Sequence, residues 1–89
     1  MEVFFSPLYL RQYKKTPSDI REIAKKKTKI FAQNPFDPRL RVHKLTGKME
    51  GLSAFSVTYS YRIIFDIIED SEEGKIARFF QIGTHDIYE

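Results

Sequence analysis

Few side chains in this sequence can exchange a proton near neutral pH. The chain has two histidines, His43 and His85, and no cysteine, and histidine is the side chain whose ordinary pKa lies nearest neutrality. His85 stands near the end of an apolar stretch, in QIGTHDIYE. Neither histidine has a carboxylate at a metal-ligand spacing such as HExxH. The residues therefore favour acid–base chemistry, and a two-histidine metal site stays open as an alternative.

A permanent cation lies inside a predicted strand. Arg62 interrupts the apolar stretch YRIIFDII, and its neighbours on the same strand face are Ser60, Ile64 and Asp66. A guanidinium in such a position can hold a phosphate with two parallel hydrogen bonds. It can also be an ordinary surface side chain, or the partner of Asp66. The sequence leaves these interpretations open.

Positive charge is concentrated in one part of the chain. Residues 10–48 contain twelve Lys or Arg against three acids, whereas residues 49–89 contain three against eight. Such asymmetry indicates a polyanionic partner for the basic part. A lysine-rich helix whose outer face is merely solvated would give the same asymmetry.

Length and composition indicate one globular domain over residues 1–89. A chain of 89 residues with 42% hydrophobic side chains can bury a single core, and without cysteine it must do so without disulfides. No apolar run reaches the roughly 18 residues of a membrane span. The first residues, MEVFFSPLYL, lack the basic region and cleavage site of a signal peptide. We therefore expect a cytoplasmic protein.

The first half of the chain predicts one strand and two helices. Residues 3–5 form a short apolar strand, and Ser6-Pro7 is typical of a helix start with a cap followed by proline. This first helix should end near Lys14. Thr16-Pro17 predicts a second start, with Thr16 as the cap, and Asn34-Pro35 ends the longer second helix.

The second half predicts an antiparallel meander. Apolar and polar residues alternate on both sides of a tight connection at residues 59–60, and an acidic turn precedes the last strand. The element order is thus β-α-α-β-β-β, an α+β fold with a helical hairpin packed on an antiparallel sheet. The three predicted strands in this half cover residues 55–59, 61–68 and 75–82, and residues 40–45 are predicted to form a short strand or turn within an extended loop.

This element order, together with the stretches VHKLTGKMEGLSAFSVTYSYRIIF and IGTHDIY, resembles the RelE/ParE superfamily of type II toxins. The characteristic features are the spacing Leu45-x-Gly47-x-x-x-Gly51, the strand at residues 61–65 and the Gly83-Thr84-His85 ending. The ending resembles the YafQ-like and YoeB-like branches. The resemblance implies a RelE-like microbial ribonuclease fold and a metal-independent endoribonuclease that cuts mRNA in association with the ribosome. It implies no cofactor.

The resemblance also assigns catalytic roles by position. His85 matches a histidine that would protonate the leaving 5′ oxygen, and Arg62 matches an arginine that holds the scissile phosphate. His43 matches the position of the general base that takes the 2′-hydroxyl proton. Tyr88 resembles a C-terminal aromatic residue that stacks on a base, although it lies one residue nearer the histidine than usual.

Further residues are expected to bind substrate. Lys44 and Lys48 would contact phosphates. The lysines at residues 25–29 form either a solvated helix face or a surface that binds the phosphates of ribosomal RNA. Tyr59, beside the hairpin connection, would contact RNA or pack in the core. The lysines that the RelE-type strand supplies are absent here, where the stretch reads FSVT. The histidine and aspartate of YafQ-like hairpins are likewise replaced by Ser56 and Ser60.

The expected partners are a cognate antitoxin, mRNA and the ribosome, with operator DNA contacted through the antitoxin complex and no membrane. Two alternatives remain open at this point. The chain could be a ParE-like toxin that inhibits gyrase by binding, or an inactive toxin fold that persists as a binding module.

Overall fold

Two helices pack on a five-stranded sheet. The computed structural model describes residues 1–72 and 74–88, apart from the side chain of Tyr88. Three short 3₁₀ turns, Pro38–Leu40, Gly47–Met49 and His85–Tyr88, connect or follow the main elements. The elements are β1 (Glu2–Phe5), α1 (Pro7–Lys15), α2 (Ser18–Gln33), β2 (His43–Lys44), β3 (Ser53–Ser56), β4 (Arg62–Asp70) and β5 (Gly74–Gly83).

The sheet is mostly antiparallel and has the strand order β1-β5-β4-β3-β2. Strands β3, β4 and β5 form the meander that the alternation predicts. Strand β1 pairs in parallel with β5, and the two-residue strand β2 pairs with β3 at the opposite edge. The predicted α+β class and helical hairpin are confirmed. Within the described residues, no helix has the length and hydropathy needed to cross a membrane.

Four phenylalanines join α2 to three strands at the centre of the core. Phe31 of α2 lies 5.3 Å from Phe55 of β3, 4.8 Å from Phe65 of β4 and 5.1 Å from Phe79 of β5, measured between ring centroids. All four side chains are buried. Most of these pairs are edge-on or tilted, the geometry that aromatic quadrupoles favour. The core thus holds α2, and any side chain that α2 presents, in a defined position against the sheet.

Hydrogen bonds connect helix α1 and its N-cap to the backbone of β5 near a β-bulge. The register between β4 and β5 shifts after Ile64, so that Phe80 has no partner in the ladder. The carbonyl oxygen of Phe80 accepts a hydrogen bond from the Ser6 hydroxyl at 2.8 Å, and the Ile82 N–H donates to the side-chain oxygen of Gln12 at 2.9 Å. The polar side chains of the N-cap residue Ser6 and of Gln12 in α1 therefore satisfy backbone groups at and near the bulge.

The start of α2 differs from the prediction. Thr16 was expected to cap α2, but it caps the C-terminus of α1, where its hydroxyl donates to the carbonyl oxygen of Gln12 at 2.8 Å. Helix α2 begins at Ser18, after Pro17, without a side-chain cap. The prediction failed because the linker between the helices is so short that one hydroxyl lies within reach of either helix end.

The connection between β3 and β4 is also longer than predicted. It covers residues 57–61 instead of a tight turn at 59–60, and the Val57 N–H donates to the Tyr61 carbonyl at 2.9 Å. The hydroxyl of Thr58 accepts from the Tyr61 N–H at 3.2 Å. A side-chain hydrogen bond therefore shapes this loop, a feature that strand alternation does not indicate.

Candidate active site

A basic cleft of about 470 Å³ lies where α2, the 3₁₀ turn at Pro38–Leu40, strand β2 and the loop of residues 57–61 meet. Four lining residues, Ser56, Val57, Thr58 and Tyr59, come from the end of β3 and that loop. No carboxylate is among the lining residues that the structure describes. The other five are cations or a histidine: Lys27, Arg39, Arg41, His43 and Arg62.

Arg62 is held in this cleft by backbone carbonyl oxygens. Its Nη1 donates to the carbonyls of Thr58 and Tyr59, both at 2.9 Å, and to that of Tyr61 at 3.5 Å. Every hydrogen bond of Arg62 within residues 1–72 and 74–88 uses Nη1, so Nε and Nη2 remain available to an anion. The loop therefore orients the guanidinium without neutralising its charge, because the acceptors are carbonyls rather than carboxylates.

Asp66 is not the partner of Arg62. It forms a two-point ion pair with Arg78 of β5, with Nε donating to Oδ1 at 2.9 Å and Nη2 donating to Oδ2 at 2.5 Å. The cross-strand register pairs Asp66 with Arg78, whereas Arg62 is four residues away at the start of β4. This pair raises the pKa of Arg78, chiefly through the hydrogen bond that Arg78 donates to the side chain of Asp66. The interpretation of Arg62 as half of a surface ion pair with Asp66 is therefore wrong.

His43 has the geometry of a general base. Its Nδ1 lies 3.3 Å from the carbonyl oxygen of Arg41, an atom that can only accept a hydrogen bond. Within the neutral ring, this contact selects the tautomer that carries its proton on Nδ1 and presents the Nε2 lone pair to the cleft. The ring is exposed and lines the cleft. His43 is thus prepared to take a proton from a group bound there.

A left-handed residue, Arg41, ends the 3₁₀ turn two residues before His43. Arg41 adopts the left-handed conformation with φ 53°, which is unfavourable for a residue with a side chain. It ends the 3₁₀ turn, where its N–H donates to the carbonyl oxygen of Pro38 at 3.3 Å. The turn is anchored again by Asp37, which accepts from the backbone N–H of Arg39 at 2.9 Å. This turn brings the side chains of Arg39 and Arg41 to the same cleft as His43.

The cations of the cleft differ in how far they are neutralised. Arg39 forms a two-point pair with Asp37, at 3.0 and 2.8 Å, and its hydrogen bonds hold the pKa of that carboxyl at about 2. Lys27 instead donates to the carbonyl oxygen of Arg39 at 2.9 Å and keeps its charge unpaired by any carboxylate in the described chain. Lys27, Arg41 and Arg62 therefore dominate the positive potential of the cleft.

His43 and Arg62 stand on opposite sides of β3. His43 pairs with Ala54 of β3, and Ser56 of β3 pairs with Arg62 of β4. Two strand spacings of about 4.8 Å each separate the backbones of β2 and β4. Both side chains nevertheless line the same cleft.

His85 lies at the same end of the sheet but does not line the cleft. Its strand ends at Gly83, the register partner of Arg62, and His85 begins the 3₁₀ turn that follows. A Cβ on Gly83 would lie 2.5 Å from Cγ2 of Ile87, so this turn folds back closely over the strand end. The imidazole of His85 is exposed. The structure therefore places His85 beside the partner of Arg62, outside the cleft wall.

The remaining predicted residues divide between the cleft and the outer surface. Tyr59 lines the cleft and is 92% exposed, so it does not pack in the core. Lys44 follows His43 in β2, where successive side chains point to opposite faces, and it does not line the cleft. Lys48 is exposed in the Gly47–Met49 turn, also away from the lining. The side chain of Tyr88 lies outside the described residues.

Two cleft cations, Arg39 and Arg41, were not among the predicted site residues, and Lys27 was included only as part of the basic helix at residues 25–29. Lys27 carried a usable signal, because it is a lysine at one of the inward-facing positions of α2, beside Ala24 and Phe31. Arg39 and Arg41 carried none, since they follow a proline in a segment without periodicity. Ser56 and Thr58 do line the cleft.

The cleft combines groups suited to holding a phosphate with a group suited to taking a proton. Unneutralised cations attract the phosphate, Arg62 offers two free nitrogen donors to its oxygens, and His43 offers a free lone pair to a nearby hydroxyl. The described residues contain no group of three or more His, Cys, Asp or Glu that could hold a metal ion.

Comparisons with known proteins agree on the fold. No family model matches the sequence, and no curated protein matches it. The YoeB/ParE toxin from Agrobacterium tumefaciens superposes with a TM-score of 0.77 at 17% identity, over 96% of this chain and 99% of that chain. The E. coli DinJ–YafQ toxin–antitoxin complex gives 0.74 at 18% identity, over 97% of this chain and 93% of that chain.

An archaeal relative is similar as well. The RelE–RelB complex from Pyrococcus horikoshii OT3 gives a TM-score of 0.73 at 16% identity, over 93% of this chain and 92% of that chain. At such identities the superpositions establish a shared fold. The chain therefore has the fold of the RelE, YoeB and YafQ proteins, as the sequence resemblance implies.

Proposed function

We propose that this chain, which has the fold of RelE-, YoeB- and YafQ-type toxins, is the toxin of a type II toxin–antitoxin system and a metal-independent endoribonuclease. The whole of residues 1–89 would form the single toxin domain. The observation that carries the proposal is the presence of His43 and Arg62 in one cationic cleft, the imidazole with a free Nε2 and the guanidinium with free donors.

The reaction is an attack of a ribose 2′-hydroxyl on the adjacent phosphate. His43 Nε2 takes the 2′-hydroxyl proton while the O2′–P bond forms, and His85 donates a proton to O5′ while the P–O5′ bond breaks. Arg62 stabilises the additional negative charge on the phosphoryl oxygens. The products are a 2′,3′-cyclic phosphate and a 5′-hydroxyl end, and no cofactor takes part.

Residues around this centre would hold the RNA strand. Tyr59 projects almost fully from the loop and offers a face on which a base can stack. Lys27 and Arg41 would contact flanking phosphates inside the cleft, with Lys44 and Lys48 beyond its edge. Tyr88 keeps its proposed role as a second base-stacking residue. Phosphate contacts alone would not select a sequence, which suits an enzyme whose mRNA substrate is presented by the ribosome.

The partners follow from the same assignment. A cognate antitoxin would neutralise the chain in the cytoplasm, as DinJ pairs with YafQ in the toxin–antitoxin complex of similar fold. Operator DNA would be contacted through that complex. The high positive charge of residues 10–48 suits an acidic antitoxin.

Expression without antitoxin tests the proposal. Induction of the wild-type chain should arrest growth and produce discrete mRNA cleavage sites in primer extension, with and without translation inhibited. Arg62→Ala and His43→Ala should restore growth, whereas the matched control Arg11→Ala, on the exposed face of α1, should still arrest it. Continued arrest in both cleft variants would refute the site. Arrest with DNA damage and intact mRNA would instead identify a gyrase inhibitor.

A further inference from the structure

The loop of residues 57–61 carries one residue assigned above to the substrate and leads directly into another. Tyr59 projects from its middle and is 92% exposed, and Arg62 begins β4 immediately after it. Ser56, the last residue of β3, is the register partner of Arg62, so the loop joins two paired strand ends. The conformation of these five residues therefore decides where the guanidinium lies.

The side chain of Thr58 organises the inside of this loop. Its hydroxyl oxygen accepts a hydrogen bond from the N–H of Ser60 at 3.3 Å and another from the N–H of Tyr61 at 3.2 Å. A threonine hydroxyl that binds nearby backbone N–H groups in this way holds a short turn in one shape. One side chain thus fixes two peptide groups of the loop.

One of these peptide groups also holds Arg62. The N–H of Ser60 and the carbonyl of Tyr59 belong to the same peptide unit, which is planar and trans, so its N–H and its C=O point in opposite directions. The hydroxyl of Thr58 binds the N–H end, and Arg62 Nη1 donates to the C=O end at 2.9 Å. The contact at one end of the unit therefore sets the direction of the carbonyl that meets the guanidinium.

The direction of Nη1 determines what the rest of Arg62 can do. A guanidinium is planar and rigid, so a fixed Nη1 also fixes the directions of Nε and Nη2. These two nitrogens are the donors assigned above to the scissile phosphate. A displacement of about 1 Å in such a positioning contact can cost about a hundredfold in rate.

We propose that Thr58 is a positioning residue for Arg62, an inference that rests on the nuclease assignment above. Its hydroxyl fixes the peptide unit between Tyr59 and Ser60, and the carbonyl of that unit fixes the guanidinium that holds the phosphate. Thr58 acts through Arg62 and not on the reacting atoms. Tyr59 and Ser60 are exposed, so water can replace the hydroxyl at the backbone N–H groups, and its removal should disturb the carbonyl direction more than the fold.

Cleavage kinetics of the full chain on a labelled transcript test the proposal. Thr58→Val removes the hydroxyl but keeps the shape of the side chain, and it should lower kcat about tenfold. KM should change less than about threefold, because the cations of the cleft remain. Thr58→Ser keeps the acceptor and should retain kcat within about twofold of wild type. Thr28→Val is the matched control, since the Thr28 hydroxyl donates to the carbonyl of Ala24 at 2.8 Å within α2, away from the cleft lining.

A double-variant cycle separates positioning from a role in loop stability alone. If the hydroxyl acts through the guanidinium, Thr58→Val should slow cleavage about tenfold in the wild-type chain but less than about twofold in Arg62→Ala. Equal losses in both backgrounds would overturn the proposal. So would a Thr58→Ser variant as slow as Thr58→Val, or a Thr58→Val variant as fast as Thr28→Val.

Side-chain NMR separates this inference from the function itself. Nitrogen-15 relaxation of the Arg62 Nε–Hε group should show a rigid side chain in wild type and Thr58→Ser, and a mobile one in Thr58→Val. A mobile Arg62 in wild type, or an equally rigid one in Thr58→Val, would overturn the positioning role. A wild-type chain with a rigid Arg62 that cuts no RNA would refute the nuclease assignment alone.

Discussion

The ammonium group of Lys27 on α2 donates a hydrogen bond of 2.9 Å to the carbonyl oxygen of Arg39, in the turn before β2. This bond connects the helix that Phe31 fixes in the core to the turn that positions Arg41 and His43. The cleft is thus built on the packed core, and its geometry depends on a contact between segments twelve residues apart in sequence.

Lys27→Ala should raise the KM for RNA more than it lowers kcat, because it removes a cation and the tether of the turn but no reacting group. The free energy of unfolding should fall by about 1 kcal/mol. Lys26→Ala is the control, since it removes an adjacent lysine of α2 that does not line the cleft. Equal effects of the two substitutions on cleavage kinetics would show that RNA cleavage depends on the positive charge at these positions and not on the hydrogen bond from Lys27 to Arg39.

Arg62→Ala should lower kcat for mRNA cleavage by about 10²- to 10³-fold. Arg62→Lys should recover little of this loss, because an ammonium group cannot bond the carbonyls of Thr58 and Tyr59 and hold a phosphate with two further donors. Single-turnover cleavage of a labelled transcript measures both. Full activity of Arg62→Lys would mean that this position needs a positive charge but not the planar guanidinium group with its several donors.

Gly83→Ala should displace the turn that carries His85, because its new Cβ would lie 2.5 Å from Cγ2 of Ile87. We expect a stability loss of about 1–3 kcal/mol and a lower cleavage rate. The double variant Gly83→Ala with Ile87→Ala relieves the contact and should regain rate. A double variant as slow as the single one would indicate that the close packing itself is required.

Acid should remove a contribution of Asp37 to stability. Arg39 holds the pKa of this carboxyl at about 2, below its ordinary value near 3.8, so the contribution is complete above about pH 4 and is lost as the pH falls towards 2. Thermal midpoints of wild type and Asp37→Asn should therefore converge over that interval. Glu22→Gln, which alters a more exposed carboxyl, is the control. A constant difference between wild type and Asp37→Asn down to pH 2 would contradict the assignment.

Local patterns predicted the main elements well. The alternation around residues 61–68 and 75–82 corresponds to β4 and β5, and Asn34-Pro35 ends α2 after Gln33, as expected. These predictions succeed because strand alternation and the conformational restriction before proline depend only on residues that are close together in sequence. Thr16 failed because it lies between two helices, and the helix end that it caps depends on how they pack.

The candidate site was partly predictable. His43 and Arg62 were named from residue type and family resemblance, and both line the cleft. Arg39 and Arg41 were missed because a left-handed turn, which no periodicity indicates, brings them there. His85 was placed correctly at a strand end, and its catalytic role stays a prediction.

The sequence by itself determined the element types, the excess of positive charge in one half and the small set of groups able to move protons. These properties depend on residue identity and on neighbours within a few positions. The tertiary structure decided that Asp66 pairs with Arg78 and leaves Arg62 to the loop carbonyls, and that one face of α2 lines the cleft. Cross-strand register and helix orientation set these partners, and both arise from packing between segments far apart in the chain.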